Sequence, residues 1–239
     1  MFYYKNTKDD TEVIAKLEQL AAAKPREGQD MFYQRIRNEG LRWNYKRIRR
    51  VYLMLGLNQK RKMKRRLPAR VKEPLYQPSG INQVWSLDFM SDSLQSKRKF
   101  RVLNIMDDFN RKAISVEADF SMTSNHLIDA MQRAIHENGK PKKVRCDNGP
   151  EFISSTFSDW CKTNGIEIQY IQPGRPMQNG FIERFNRTFR QDVLDAYLFE
   201  EIMQVKIEAE DWQDDYNNQR PHEALGGLPP AKYTTTQAH

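Results

Sequence analysis

Residues 143–152 read Lys143-Val-Arg-Cys-Asp147-Asn-Gly-Pro-Glu-Phe152. The segment Lys143–Cys146 predicts a short strand that runs without a spacer into Asp147. Asn148-Gly149 supplies a tight turn, since Gly tolerates backbone angles closed to other residues and Asn bonds its own backbone. Glu151 and Phe152 open a helix expected over about 152–164. An acid at the C-terminal end of a strand, followed at once by a turn, stands at the edge of a sheet.

Working outward from that strand, the periodicity alternates between strand and helix. Upstream lie a strand at Val84–Phe89, a hairpin made by Phe100–Met106 and Ala113–Phe120, and a helix from Ser124 to Asn138 that ends at Gly139. Asp107 and Asp108 read as turn residues of the hairpin. Downstream come a strand at Glu167–Ile171, a Pro/Gly loop from Gln172 to Gly180 and a long helix from about Met177 to Leu198. The order βββαβαβα is that of a ribonuclease-H-like α/β fold, a mixed central sheet flanked by helices. In that fold Asp88 lies mid-strand, Asp147 at the end of a neighbouring strand, and Glu183 on a helix packed beside both.

Asp88 sits in Trp-Ser-Leu-Asp-Phe and Glu183 in Asn-Gly-Phe-Ile-Glu-Arg, with 35 residues between Asp147 and Glu183. Three converging carboxylates repel one another in a cleft of low dielectric, so they call for divalent cations. The expectation is two Mg²⁺ ions, with Mn²⁺ as a substitute: Asp88 bridges them, and Asp147 and Glu183 take one each. Such a pair activates an oxygen nucleophile and stabilises the leaving oxygen at phosphorus without a protein nucleophile. Along the last helix Glu183, Arg187 and Arg190 share a face, which points the arginines at phosphates, while Phe185 and Phe189 turn to the core. Asn148, Asn179 and Gly180 support the site from adjoining turns. The four His residues lack ligand spacing, and Cys146 and Cys161 form no CxxC pair, so neither zinc nor a disulfide framework is expected.

Charge divides the chain. Residues 1–84 hold 20 Lys+Arg against 8 Asp+Glu, and residues 85–239 hold 19 against 23, within a total of +8. The basic part is the one suited to a polyanion. Helices are expected over about 9–23, 30–38 and from Asn44 to Gly56, a helix-turn-helix-like module in which Arg42, Lys46, Arg47 and Arg50 face DNA phosphates while Ile48, Val51 and Leu55 pack inward. Residues 60–73 form an extended basic linker whose Lys62, Lys64, Arg65 and Arg66 track phosphates. Four segments follow: a helical module at 1–58, the linker at 59–84, a catalytic core at 85–198, and a C-terminal helix and tail at 199–239. No signal peptide or membrane span is legible, and a reduced, cytoplasmic, nucleoid-associated bacterial location is expected.

These residues resemble the catalytic core of retroviral-type integrases and, over nearly the whole chain, the downstream-frame (OrfB-type) transposases of insertion sequences of family three. The resemblance rests on the D,D(35)E spacing, on Arg190 seven positions after Glu183, and on the run Tyr216-Asn217, Arg220-Pro221-His222 and Leu225-Gly226-Gly227. It implies Mg²⁺-dependent phosphodiester cleavage at the ends of an element and transfer of the freed 3′-OH into double-stranded target DNA. It also implies a homo-oligomer on DNA and an upstream-frame subunit or fusion partner. Glu27–Tyr33 departs from the Gly-Tyr-Arg run usual in relatives. The competing readings are a ribonuclease-H-like nuclease that hydrolyses without joining, and a non-catalytic DNA-binding regulator.

Overall fold

A computed structural model of the chain describes residues 9–58, 77–172 and 179–237. The chain divides into two compact units. The described residues of the first are 9–58 with Arg220–Leu228, and those of the second are 77–172, 179–219 and 229–237.

The first unit contains α1 (Thr11–Ala23), α2 (Gln29–Asn38) and α3 (Tyr45–Met54). Apolar residues at helical spacing put Val13, Leu17 and Leu20 of α1, Phe32 and Ile36 of α2, and Ile48, Val51 and Tyr52 of α3 into one core. The Asn44 side chain caps α3 by accepting from the Lys46 amide at 2.8 Å. Glu27 and Arg35 are buried together, the guanidinium donating through Nε and Nη2 at 2.6 Å each. Arg220 approaches the same carboxylate at 3.6 Å, and the Asn38 amide donates to the Gly227 carbonyl at 3.1 Å. The Arg-Pro-His and Leu-Gly-Gly run near the C-terminus is therefore part of the packing of this helical unit.

The second unit is built on five strands, β1 (Val84–Ser93), β2 (Lys99–Asp107), β3 (Ala113–Asp119), β4 (Lys143–Cys146) and β5 (Glu167–Tyr170), in the order β3-β2-β1-β4-β5. The β1–β2 and β2–β3 pairs are antiparallel, and β1–β4 and β4–β5 are parallel. This is the mixed sheet expected of βββαβαβα. Its helices are α4 (Ser124–Asn138), α5 (Ser155–Thr163), α6 (Gly180–Phe189), α7 (Ile202–Asn218) and α8 (Pro230–Gln237).

Side chains alternate across the sheet with a period of two. Trp85, Leu87, Leu103 and Ile105 share a core with Leu127, Met131 and Phe157 of α4 and α5. Met90, Val102 and Met106 share the opposite one with Ile182, Phe185 and Phe189 of α6 and with Trp212 and Tyr216 of α7. Trp212 makes ring contacts with Phe185, Phe189 and Tyr216 at 5.2, 5.0 and 4.7 Å between centroids. Each such pair adds about 0.5–1.5 kcal/mol beyond its buried area. The Asn217 amide grips the Ala113 backbone from both sides, accepting from its N–H at 2.8 Å and donating to its carbonyl at 2.9 Å. Helix α7 thus clamps both the edge strand β3 and α6.

Two helix boundaries and the role of one acid differ from the sequence expectation. The helix expected from Phe152 begins at Ser155, because the Ser154 hydroxyl caps it and Phe152 is drawn into the core within a turn. The helix expected to run to Leu198 stops as an α-helix at Phe189 and continues as one π-turn, Arg190–Leu194, with the Asp195 amide donating to the Arg190 carbonyl. Asp108 is no ordinary turn residue: it is fully buried, accepting from the Ser86 hydroxyl at 2.6 Å and from Arg145 Nη1 at 2.8 Å. Among the described residues no helix is long and apolar enough to cross a membrane.

Candidate catalytic site

Asp88 occupies the middle of β1, on the face that meets α6. Its Oδ1 accepts from the Phe89 amide at 2.9 Å and its Oδ2 from the Asn186 side-chain amide at 2.7 Å. Burial pushes the carboxyl up to about 6, and the negative charges of Asp147 and Glu183 push it the same way against the two hydrogen bonds. Both acids are thus within electrostatic reach of Asp88.

Asp147 is exposed at the end of β4, and its Oδ1 accepts from the Gly149 amide at 2.8 Å. A Cβ at residue 149 would stand 2.9 Å from that oxygen, so the turn needs glycine for this close approach. The Asn148 amide turns away to donate to the Ile171 carbonyl at 3.3 Å. Glu151 closes the loop by pairing with Arg101, whose guanidinium lies 4.2 Å over the Phe89 ring. The loop after Asp147 is thereby tied back to β1 and β2.

Glu183 lies exposed in the first turn of α6, which begins at Gly180 with buried Asn179 in front of it. Among the described residues the Asn179 side-chain oxygen has no hydrogen-bond partner. Arg187 is exposed, one turn beyond Glu183. Arg190 is held by β1, donating to Asp92 at 3.1 Å and to the Ser91 carbonyl at 3.0 Å. Residues 173–178, most of the Pro/Gly loop between Gln172 and Gly180, lie outside the described residues, as do Lys62, Lys64, Arg65 and Arg66.

In the helical unit Arg42 and Lys46 are exposed. Arg47 and Arg50 instead converge on Asp10, at 2.9 and 2.6 Å. The two guanidiniums hold that carboxyl below its usual range.

Two residues that the sequence reading passed over complete the site. Asn186 stands three positions after Glu183, the spacing that puts two side chains on one helical face, so the helix pattern did contain the signal. Asn104 lies opposite Asp88 in the β1–β2 register and donates to the Asn186 side-chain oxygen at 2.7 Å. Only strand pairing reveals it.

The donor set consists of carboxylate oxygens, which suit hard cations such as Mg²⁺ or Mn²⁺. None of the three acids makes an ion pair among the described residues, and the local negative charge is uncompensated. Nor, among those residues, does any group of three acidic, His or Cys side chains stand ready to hold an ion.

Two segments match the integrase core domain family, residues 78–176 and 164–230. The chain is 36% identical over 225 residues to the 31.7 kDa protein of insertion element IS407 from Burkholderia multivorans, covering 94% of this chain and 81% of that protein. The chain belongs to the insertion-sequence transposases with a retroviral-integrase-like core. A 39.2 kDa protein of insertion element IS476 from Xanthomonas euvesicatoria is 34% identical, with 94% of this chain and 66% of that protein covered. The fold of the transposase is shared with the magnesium-bound catalytic core of HTLV-2 integrase, at 22% identity and a TM-score of 0.53 over 67% of this chain and 99% of that one. It is shared also with a chain of the simian T-cell lymphotropic virus intasome, at 17% identity and a TM-score of 0.59, covering 92% of this chain and 74% of that one.

Proposed function

We propose that this transposase cleaves phosphodiester bonds at the ends of its element and joins the freed 3′-OH to target DNA, using Asp88, Asp147 and Glu183 as ligands for two Mg²⁺ ions. The observation that carries this reading is the half-buried Asp88 carboxylate, within electrostatic reach of two further acids and without an ion-pair partner among the described residues. When bound, the ions supply charge neutralisation and activate the attacking oxygen. The protein's own part is positional. Phe89 and Asn186 hold Asp88, Gly149 holds Asp147, and the first turn of α6 presents Glu183.

Arg187, the exposed Arg42 and Lys46, and the basic segment with Lys62, Lys64, Arg65 and Arg66 would hold DNA through phosphates. Arg47 and Arg50 would first have to exchange Asp10 for a phosphate, and Arg190 serves the reading as a brace for β1. Asn148, Asn179 and Gly180 shape the turns beside the ligands. The likeness to a chain of an intasome supports a homo-oligomer on double-stranded DNA; an upstream-frame partner belongs to the same reading. So does a cytoplasmic, nucleoid-associated location.

The decisive assay incubates the protein with its own element's end sequences, labelled target DNA and Mg²⁺. Joined products are expected. Hydrolysis without joining would replace this reading with that of a nuclease, and metal-independent binding alone would leave a regulator.

Protons compete with the metal for Asp88. Because its carboxyl is raised to about 6, metal affinity should be flat above that pH and fall about tenfold per unit below it. The sign carries over to stability. A folded-state carboxyl lying above its unfolded value costs the metal-free protein stability as pH rises through 4 to 6, and bound Mg²⁺ restores it. The rise in Tm on adding Mg²⁺ should therefore be larger at pH 7.5 than at pH 5; equal shifts would count against Asp88 as a ligand.

A further inference from the structure

Asn104 is fully buried in the middle of β2, on a face otherwise lined by Val102 and Met106. Its amide nitrogen donates to Asn186 Oδ1 at 2.7 Å and lies 3.2 Å from Met90 Sδ. Its own oxygen has no hydrogen-bond partner among the described residues. An apolar residue at that place in a sheet would avoid the desolvation of an unpartnered acceptor, and a polar group kept there at a cost calls for an explanation.

The explanation lies in the order in which donors and acceptors are forced. An ionised carboxylate only accepts, so Asn186 must present Nδ2 to Asp88. Its Oδ1 then faces away from Asp88 and needs a donor. Asn104 is that donor, and in giving its Nδ2 it turns its own oxygen into the core. Without it, Asn186 Oδ1 would lose the hydrogen bond that sets the productive amide orientation apart from the flipped one, which would set oxygen against oxygen at Asp88.

We propose that Asn104 is a positioning residue that locks the Asn186 amide, and through it the Asp88 carboxylate, in the orientation that receives a divalent cation. The inference rests on the reading of Asp88 as a metal ligand. It separates two roles that usually coincide: Asn104 should serve metal binding while contributing nothing to, or detracting from, the stability of the metal-free fold.

The test is a double-mutant cycle on the full chain with Asn104→Leu, Asn186→Ala and the pair, read by Mn²⁺ binding in calorimetry and by the Tm of the metal-free protein. Asn104→Leu is expected to match or exceed the wild-type Tm while weakening Mn²⁺ binding about 10- to 100-fold, the range typical of partners that orient a ligand. In the Asn186→Ala background the same substitution should change binding by less than about twofold, because its route to Asp88 has gone. The Mg²⁺ concentration for half-maximal DNA cleavage should rise in parallel, with most of kcat recovered at saturating metal.

Asn104→Thr runs the same cycle if the leucine variant does not fold, since a β-branched residue suits a strand. Unchanged Mn²⁺ binding in the Asn104 variants, or an equal loss in both backgrounds, overturns the positioning role. Wild-type protein that takes up no Mn²⁺ overturns the carboxylate site itself and the inference with it. Metal uptake that follows the cycle without DNA cleavage would sink the proposed reaction and leave the relay standing.

Discussion

Glu183→Gln should reduce Mg²⁺-dependent cleavage of element-end DNA by about a thousandfold or more, corresponding to the loss of several kcal/mol of transition-state stabilisation from a metal site. The substitution is nearly isosteric and removes charge from an exposed position in the first turn of α6, where no packing depends on it. Buried Ile182, Phe185 and Phe189 still anchor the helix against β1, β2 and α7. The Tm of the metal-free variant should therefore stay near that of the wild type, or rise slightly as repulsion with Asp88 is relieved. A single-turnover assay at saturating DNA separates chemistry from binding. Undiminished cleavage by Glu183→Gln would remove Glu183 from the site.

Asp108→Ala should have the largest effect on stability, about 3–5 kcal/mol, because it strands the Arg145 guanidinium in the interior. Arg145 is buried on β4, two residues before Asp147, and its Nη1 donates to Asp108 at 2.8 Å. Burial raises the Asp108 carboxyl to about 6 although the Ser86 hydroxyl, Arg145 and Arg111 all favour its charged form. The ion pair thus contributes little net stability at neutral pH, yet losing one member leaves a buried charge with no compensation. Urea unfolding should show the full cost in Asp108→Ala, and most of it should be recovered in the double variant Asp108→Leu/Arg145→Met, which replaces both members by apolar groups. A loss below about 1 kcal/mol in the single variant would mean that Arg145 finds water or another partner. Cleavage activity should fall with the folded fraction in Asp108→Ala, because β4 carries Asp147.

Local patterns made most elements legible. The alternation along β1 and β2, the Gly stop at 139 and the apolar spacing of α4 and α7 each depend on neighbours a few residues away. The boundaries that moved were those settled at longer range. Phe152 has the propensity of a helix start, but a core formed by Phe89, Phe157 and α4 draws it into a turn instead. The π-turn after Phe189 leaves no mark in composition.

The candidate site divides along the same line. Asp88, Asp147 and Glu183 stand out in sequence because each sits in a distinctive local context on a strand, a strand end and a helix. Arg47, Arg50 and Arg190 have the same appearance in sequence as any phosphate-binding cation, and only the structure shows them engaged by Asp10 and Asp92. Asp108 shows the converse, a loop acid in sequence that becomes the buried partner of a strand arginine.

By itself the sequence determined the order of the strands and helices and the family, and it singled out three acids as candidates, since all of these follow from residue type and short spacing. Tertiary structure alone decided which charges were already neutralised, that the C-terminal Arg220–Leu228 run belongs to the helical unit, and that Asn104 and Asn186 stand behind Asp88. Those outcomes hang on strand register and on contacts such as Asn38–Gly227, which spans 189 residues, where donor must meet acceptor in space and no local periodicity encodes the meeting.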